Sequence, residues 1–259
     1  MLNKINKKNI KKISNKYFST KHNMGFFPIY EKYLKKFQKR KINILEIGVE
    51  SGNSLKIWSD YFTKGKIVGL DIVKKIMKIK NTEIFCGSQI DEKILSKIVN
   101  KYKKFDIIID DGSHVNKDVI KTFNFLFPFL SENGLYFIED IQTSYMPNWG
   151  GDGVNFNNKK TTMNFIRSLA DRIHYQDIDD PFYKRNLFDG KIGFIHIYKN
   201  ICIIEKKINY YESGICYKNS WYLGLKKNRK NFNLFKIRDL KYYLIYFFRK
   251  ILVILRLCN

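Results

Sequence analysis

The sequence has few cysteines and no apolar segment near its start. Four cysteines lie far apart in 259 residues and form no C-x-x-C pair (Cys86, Cys202, Cys216 and Cys258). This spacing is untypical of zinc sites and of disulfide-stabilised secreted domains, so we expect reduced thiols in a cytoplasmic protein. The first thirty residues are basic and polar, and no secretory signal is expected there.

The sequence also lacks a long apolar run. In residues 240–257 the uninterrupted apolar runs are seven and five residues, whereas a membrane-spanning helix needs about 20. The segment is nevertheless rich in Tyr, Phe and Leu, with Lys and Arg at intervals. Two interpretations stay open: a terminal helix docked on the domain, or a helix lying on the anionic inner face of the membrane.

Arginine is scarce although the net charge is +24, because only eight of the 48 basic residues are Arg. Residues 1–41 hold 13 Lys and Arg against one acid, residues 226–259 hold 10 against one, and residues 42–225 hold 25 against 22. The charge therefore belongs to the ends, and a nucleic-acid partner is not expected. We divide the chain into a basic helical segment (1–41), an α/β domain (42–210) and a basic, aromatic tail (211–259).

Polar clusters follow two apolar segments. Phe105–Asp110 reads F-D-I-I-I-D and continues as D-D-G-S-H through His114, and G-L-Y-F-I at 134–138 ends in Glu139 and Asp140. Such segments are typical of buried parallel strands, and ligands bind beyond their carboxyl ends. The pattern predicts three or four carboxylates and one imidazole in a single crevice. Carboxylates without cysteine favour a hard cation such as Mg²⁺, with the histidine as a base.

Strand and helix patterns alternate along the chain, which predicts a doubly wound sheet. We expect Ser113 or Asn116 to cap the helix after the D-D-G-S-H motif. The predicted strands are 43–47, 66–71, 83–86, 105–110, 134–138, and a hairpin of 191–198 with 201–205. The predicted helices are 29–37, 53–62, 92–102, 116–130 and 161–173.

Two further features border the expected crevice. Gly48 and Gly52 form a turn after the first strand, and Asp71 ends the second strand 25 residues after Glu46, a position that suits a ribose hydroxyl. Residues 142–158 form a Gly-containing loop in which Tyr145 and Trp149 either wall the substrate or only pack the loop.

Together these motifs resemble the class I S-adenosylmethionine-dependent methyltransferases. More narrowly, they are similar to the metal-dependent sugar O-methyltransferases of macrolide tailoring, the macrocin and mycinamicin group. The motifs that carry the resemblance are L-E-I-G with G-N-S-L at 45–55, G-L-D-I at 69–72, G-S-Q at 87–89, D-D-G-S-H at 110–114 and I-E-D at 138–140. Glu50 replaces the middle glycine of the usual cofactor loop.

The resemblance implies a Rossmann-like seven-stranded sheet of order 3-2-1-4-5-7-6, with the last strand antiparallel and helices on both faces. It implies S-adenosylmethionine as cofactor, bound by Glu46, Gly48, Gly52, Ser54, Asp71, Ser88, Gln89 and Asp110. It implies a divalent cation on Asp111, Glu139 and Asp140, with His114 and Asp111 in the catalytic step.

The expected reaction is methylation of a sugar hydroxyl, on a nucleotide-linked hexose or heptose for surface or capsular polysaccharide. Two alternatives stay open. An RNA methyltransferase would fit the charge, although base-methylating enzymes usually carry an Asn/Asp-Pro-Pro-Tyr/Phe motif where this chain has D-D-G-S-H. The second alternative is a membrane-attached, non-catalytic binding module.

We also expect a cytoplasmic location. The tail resting on the inner membrane face is one option, and a homo-oligomer is compatible with the sequence.

Overall fold

The computed structural model describes residues 9–178 and 183–209, together with four helical residues of the tail, Leu244, Phe247, Phe248 and Ile251. The two interpretations of residues 240–257 therefore fall largely outside the described residues. Within the described part, no helix is both long and apolar enough to cross a membrane. The two cysteines of that part, Cys86 and Cys202, are free thiols.

A seven-stranded sheet forms the centre of the molecule, in the order β3-β2-β1-β4-β5-β7-β6. Strands β1 to β5 pair in parallel, and β7 runs antiparallel to both β5 and β6. The predicted fold class and strand order are thus confirmed. The strands are β1 (Asn43–Ile47), β2 (Lys66–Asp71), β3 (Thr82–Cys86), β4 (Phe105–Asp110), β5 (Leu130–Glu139), β6 (Ile192–Tyr198) and β7 (Ile201–Lys206).

Helices cover both faces of the sheet, because the central strands are apolar on both sides. Ile107 and Ile109 of β4 pack into one cluster with the first helices of the chain, and Ile108 packs into a second cluster with the later helices. The helices are α1 (Ile10–Ser14), α2 (Thr20–Asn23), α3 (Phe26–Leu34), α4 (Asn53–Tyr61), α5 (Glu92–Tyr102), α6 (Asn116–Leu126) and α7 (Thr162–Ile173).

Three predicted element bounds need correction. Helix α3 begins at Phe26 and passes at Lys35 into a 3₁₀ turn, so the predicted helix 29–37 started too late. Helix α6 ends at Leu126, four residues before its predicted end, because Pro128 enforces a 3₁₀ turn before β5. Strand β5 starts at Leu130 rather than at residue 134.

The predicted cap of α6 is also wrong. The N-cap position is Val115, which has no side-chain cap bond. Ser113 Oγ instead accepts a hydrogen bond from the Val115 N–H and donates one to Asp118. The Asn116 side chain is fully buried and donates hydrogen bonds to the loop after β5.

The basic N-terminal segment packs directly on the sheet. Ile10 of α1 and Phe26 and Tyr30 of α3 are at most 1 % exposed, and they share a core cluster with Ile44 of β1. Helix α3 therefore packs over β1, β4 and β5, and α1 packs on α3 and α4. The short helix α2 lies at the carboxyl ends of these strands. The proposed division of the chain at residue 41 stays a prediction.

Candidate active site

A pocket of about 950 Å³ opens at the carboxyl ends of β1, β2, β4 and β5. This is the edge at which the sequence placed the ligand site. The residues predicted for the site that line the pocket are Gly48, Ser54, Asp71, Ser88, Gln89, Asp111, His114, Glu139 and Asp140. Residues Phe18 to Lys21, with Met24 and Phe26, form a further wall that the sequence did not reveal.

The turn after β1 needs glycine at Gly48. Its φ is +83°, and a Cβ there would lie 1.9 Å from the carbonyl oxygen of Asp111. The end of β1 and the chain after β4 therefore approach each other more closely than any side chain would allow. Gly52, with φ +73°, is the N-cap of α4 but does not line the pocket.

Asp71 fastens this turn to the end of β2. Its Oδ2 accepts hydrogen bonds of 2.9 Å from the N–H groups of Val49 and Glu50, and its Oδ1 accepts one of 2.8 Å from Val73. Burial opposes ionisation, but these hydrogen bonds outweigh it and lower the pKa of Asp71. The carboxylate is thus ionised and held in place beside the pocket.

Glu46 supports the pocket from below and does not line it. The side chain is fully buried, and Oε2 accepts hydrogen bonds from Ser54 Oγ at 2.8 Å and from Trp58 Nε1 at 3.0 Å. Burial raises the pKa of Glu46 to about 7. Glu46 therefore fixes the first turn of α4, from which Ser54 reaches the pocket wall.

Asp110 likewise lies beneath the pocket. It is 1 % exposed, and its Oδ1 lies 3.3 Å from the donating Nε2 of Gln89. Burial raises the pKa of Asp110 to about 7. Gln89 also accepts a 2.6 Å hydrogen bond from the Ser113 N–H. Asp110 and Gln89 together hold the loop that follows β4.

Asp111, His114 and Asp140 converge in the pocket. Nε2 of His114 lies 3.7 Å from Asp111 Oδ1 and 3.5 Å from Asp140 Oδ2. One possible ligand atom from each of these residues lies within 4.8 Å of the other two. Among the described residues, this is the group of three acids or histidines close enough together to hold one metal ion. Each of the three side chains is about one quarter exposed, at 24, 24 and 26 %.

Glu139 and Asp140 point in different directions. Strand β5 ends at Glu139, and Asp140 has a left-handed backbone with φ +53°. The bend turns Asp140 toward His114, while Glu139 stays in the pleat of the strand at 3 % exposure. There Glu139 accepts hydrogen bonds from Lys21 at 2.6 Å and from the Tyr30 hydroxyl.

Lys21 is the main site residue that sequence reasoning missed. Its Nζ contacts Asp111 Oδ2, lies 2.6 Å from Glu139 Oε1 and 3.4 Å from Glu46 Oε1, and the residue is 2 % exposed. Burial alone would lower the pKa of Lys21, but the three carboxylates raise it well above its usual value. The same burial raises the pKa of Glu139 to about 8.

The two aromatic residues predicted to contact substrate lie outside the pocket lining. Tyr145 is 40 % and Trp149 36 % exposed, and Tyr145 packs edge-on against Phe156.

The loop that carries Tyr145 and Trp149 is held by the buried Asn116. Its Nδ2 donates to the carbonyl oxygens of Thr143 at 3.1 Å and Trp149 at 2.9 Å. No pattern in the sequence singled out this role of Asn116.

Comparison with known proteins gives clear relatives. The chain is 34 % identical over 217 residues to mycinamicin VI 2''-O-methyltransferase of Micromonospora griseorubida, covering 78 % of this chain and 54 % of that protein. It is 34 % identical over 199 residues to demethylmacrocin O-methyltransferase of Streptomyces fradiae, covering 73 % of this chain and 50 % of that protein. The chain is a homologue of these O-methyltransferases.

The solved structure of the mycinamycin-pathway methyltransferase MycE, in complex with Mg, SAH and mycinamycin VI, has the same fold. Its TM-score is 0.75 at 33 % identity, over 80 % of this chain and 55 % of that chain. No family model matches the sequence. The chain spans about half the length of the curated relatives it matches.

Proposed function

We propose that the protein transfers a methyl group from S-adenosylmethionine to a sugar hydroxyl, with a divalent cation bound at the active site. The observation that carries the proposal is the convergence of Asp111, His114 and Asp140 in the lining of a pocket of about 950 Å³. The homology to sugar O-methyltransferases supports it.

The pocket wall formed by β1, β2 and the loop after β3 suits the cofactor. Asp71 offers an ionised carboxylate to the ribose hydroxyls, and Lys75 Nζ lies 3.3 Å from its Oδ2. The open space above Gly48 and the Ser54 side chain would take the methionine part, with Ser88 and Gln89 toward the adenine. The other predicted cofactor residues do not line the pocket. They would support the cofactor site indirectly: Glu46 bonds Ser54, Gly52 begins α4, and Asp110 bonds Gln89.

The carboxylates of the cluster fit a hard cation. Neighbouring ligand atoms around an octahedral Mg²⁺ are about 3 Å apart and opposite ones about 4.2 Å apart, because each lies about 2.1 Å from the ion. One ligand atom of Asp111 and one of Asp140 lie within 4.8 Å of each other, close to the spacing that two ligands of one ion need. The proposed ligands of the ion are Asp111, Glu139 and Asp140, which all line the pocket. The partial exposure of Asp111 and Asp140 leaves room for water and substrate oxygens. A bound divalent cation lowers the pKa of a hydroxyl that it coordinates.

The chain's own residues then supply the base and the alignment. His114 lies between the partly exposed carboxylates of Asp111 and Asp140, where an imidazole can accept the proton of an acceptor hydroxyl. Oxygens of Asp111 and Asp140 lie 3.7 and 3.5 Å from His114 Nε2, where their charges favour the imidazolium that forms when His114 takes up this proton. The walls of the pocket must align the acceptor oxygen with the sulfur–methyl bond, because the sulfonium is already a good leaving group.

The acceptor class that we propose is a nucleotide-linked hexose or heptose of surface polysaccharide, by analogy alone. Tyr145 and Trp149 are proposed to contact the acceptor outside the pocket, at the mouth.

Contact of residues 240–257 with anionic membrane stays a prediction. Vesicle co-sedimentation should show binding to anionic but not to neutral lipid, and deletion from residue 226 should abolish this binding. The cytoplasmic location and a homo-oligomer also stay predictions.

The direct test is transfer of labelled methyl from S-adenosylmethionine to a panel of nucleotide-linked hexoses and heptoses, with RNA as a parallel arm. We expect label in a sugar ether in MgCl₂ and none in EDTA. Label in RNA would favour the RNA methyltransferase instead. Binding of the cofactor without transfer to any acceptor, in the presence of Mg²⁺, would favour the non-catalytic binding module.

A further inference from the structure

The two edges of the sheet carry opposite charge. The amino ends of β1 to β6 and the carboxyl end of β7 meet at one edge, because β7 runs antiparallel to its neighbours. Nine lysines and four acids lie within two positions of these seven strand ends, and we call this edge the basic edge. Seven of the nine lysines are exposed, among them Lys64, Lys66, Lys103 and Lys104.

The opposite edge, at which the pocket opens, is acidic. Six acids and one lysine, Lys199, lie within two positions of the strand ends there. Lys21 and Lys75 add two positive charges, and both pair with acids of this edge. The acids still outnumber the lysines, so positive and negative charge are separated along the direction of the strands.

The acids of the basic edge do not neutralise its lysines. Glu83 pairs with Lys101 at 2.7 Å and Glu205 pairs with Lys36 at 3.2 Å, and these two lysines are additional to the nine. Asp106 accepts a 3.0 Å hydrogen bond from a backbone N–H of β1. The exposed lysines therefore give this edge a net positive charge.

Lys206 shows that the lysines of the basic edge act on one another. Its Nζ donates hydrogen bonds of 2.7 Å to the carbonyl oxygens of Pro128 and Leu130. Burial lowers the pKa of Lys206 to about 8, and the positive charges of Lys104 and Lys191 act in the same direction. These two lysines precede β4 and β6, so the positive charge is shared across several strands.

A broad, lysine-rich surface suits the diffuse negative charge of a lipid membrane. Neighbouring strands lie about 4.8 Å apart, so seven strand ends span about 30 Å. Lysine lacks the planar fork with which arginine reads single phosphates. Single-stranded RNA binds on exposed aromatic side chains. Among the described residues, no exposed aromatic side chain lies within two positions of these strand ends, whereas Ile208 is 39 % exposed beside Lys207.

The C-terminal tail leaves the domain at the same edge. The Asn209 N–H, three residues after β7, donates a 2.7 Å hydrogen bond to the carbonyl oxygen of Gly190. Fifty residues follow in the sequence, and residues 226–259 hold 10 Lys and Arg against one acid, together with Tyr, Phe and Leu. This composition is typical of segments that bind anionic membranes. The edge and the tail thus favour the same partner.

We propose that the basic edge is a docking surface for anionic lipid membranes and that the pocket opens away from the membrane. The inference goes beyond the proposed reaction and does not depend on it. It adds a surface of the folded domain to the contact expected of the tail. In this orientation an acceptor reaches the pocket from solution.

Co-sedimentation of the full chain with vesicles tests the docking surface. Wild-type chain should bind vesicles that contain phosphatidylglycerol, not vesicles of phosphatidylcholine alone, and binding should weaken in about 0.5 M NaCl. A lysine near an anionic surface contributes about fivefold to the partition coefficient. The edge variant should therefore lose about tenfold or more. It carries Lys64→Gln, Lys66→Gln, Lys103→Gln and Lys104→Gln.

The matched control removes four exposed lysines from elsewhere. It carries Lys74→Gln, Lys117→Gln, Lys159→Gln and Lys160→Gln. Lys74 follows β2 at the acidic edge, and the other three adjoin Asn116 and Thr162, which bond each other beside the loop after β5. The control has the same net charge as the edge variant and should bind vesicles like the wild-type chain. Both variants should melt at the wild-type Tm without vesicles, because the replaced side chains are exposed.

Three results would overturn the proposal. Wild-type binding by the edge variant would show that the tail, which this variant keeps, holds the chain by itself. Equal losses in the edge variant and the control would show attraction by net charge without a docking surface. A wild-type chain that binds no vesicle would also reject it, and binding to polyuridine RNA instead would favour nucleic acid as the partner.

Protection of thiols from a water-soluble maleimide tests the orientation without removing the four lysines. In a chain with Cys216→Ser and Cys258→Ser, Cys86 is exposed at the carboxyl end of β3 and Cys202 is buried. Lys66→Cys adds an exposed thiol on the basic edge. Anionic vesicles should suppress the reaction of this added thiol and leave that of Cys86 unchanged. Protection of Cys86 with no protection of the added thiol would contradict the orientation.

The docking surface and the reaction can fail separately. Methyl transfer to a sugar by a chain that binds no vesicle would reject the docking surface alone. Loss of vesicle binding in the edge variant, in a chain that transfers no methyl group, would reject the proposed reaction alone.

Discussion

Nε2 of His114 lies 3.5 Å from Oδ2 of Asp140, although the two residues follow different strands. Both have a left-handed backbone, with φ +56° at His114 and +53° at Asp140. Residues other than glycine adopt this conformation infrequently, and it occurs where the surrounding structure enforces it. In this chain it turns an imidazole and a carboxylate out of two strand ends and into one crevice.

Replacing His114 should abolish turnover and spare cofactor binding. His114→Asn is the suitable change, because asparagine tolerates the left-handed backbone but cannot act as a base near neutral pH. We expect kcat to fall by about 100-fold or more, with the affinity for S-adenosylmethionine unchanged. His174→Asn is the control, since His174 is 74 % exposed at the end of α7. Near-normal turnover of His114→Asn would remove His114 as the base.

Removing the Asp71 carboxylate should weaken cofactor binding. In Asp71→Ala the N–H groups of Val49 and Glu50 lose their acceptor, and the ribose loses the partner that we propose for it. We expect the Kd for S-adenosylmethionine to rise by about tenfold or more, as measured by calorimetry. Asp171→Ala, at an exposed position of α7, should leave the Kd unchanged. Equal affinities in the two variants would show that Asp71 does not contribute to cofactor binding.

Asn116→Ala should destabilise the loop that follows β5. The change leaves the carbonyl oxygens of Thr143 and Trp149 and the Thr162 N–H without their partner. The free energy of unfolding should fall by about 2 to 4 kcal/mol in a denaturant titration. Asn124→Ala, on the exposed face of the same helix, should cost less than about 0.5 kcal/mol. A similar cost in both would mean that the Asn116 bonds add nothing.

Comparing Gly25→Ala with Gly48→Ala separates the destabilisation caused by backbone strain from that caused by a steric clash. Both have a positive φ, but a Cβ would meet nothing within 4 Å at Gly25 and the Asp111 carbonyl oxygen at 1.9 Å at Gly48. Gly25→Ala should cost about 1 kcal/mol of unfolding free energy. Gly48→Ala should cost clearly more and also weaken cofactor binding, because the end of β1 must move. Equal costs would contradict the close approach of the two chains.

The ends of β4 and β5 were predictable because each strand is an apolar run that stops at a pair of acids. Apolar runs that stop at Asp110–Asp111 and Glu139–Asp140 predict buried parallel strands, and parallel strands bring their carboxyl ends to one edge. Asp111, His114 and Asp140 do meet there. The alternation of side chains along a strand required a bend for Glu139 and Asp140 to share a site. The structure has the bend: Glu139 and Asp140 both line the pocket, and Asp140 turns toward Asp111 and His114.

The contributions of Lys21 and Asn116 were not predictable from the sequence. Lys21 belongs to a basic segment in which lysines are frequent, and α2 is too short for an apolar period to mark its buried side. Asn116 follows a turn motif, where asparagine ordinarily caps a helix. Both side chains are used in contacts with residues far away in the chain, and only tertiary packing determines those contacts.

The proposed reaction requires this chain to bind S-adenosylmethionine in the pocket beyond β1 and β2. Calorimetric titration of the full chain with S-adenosylmethionine, once in MgCl₂ and once in EDTA, measures this binding. We expect saturable binding of one cofactor per chain in both conditions, because Asp71, Ser54 and Gln89 form that part of the pocket without a metal. Absence of saturable binding in both conditions would contradict it.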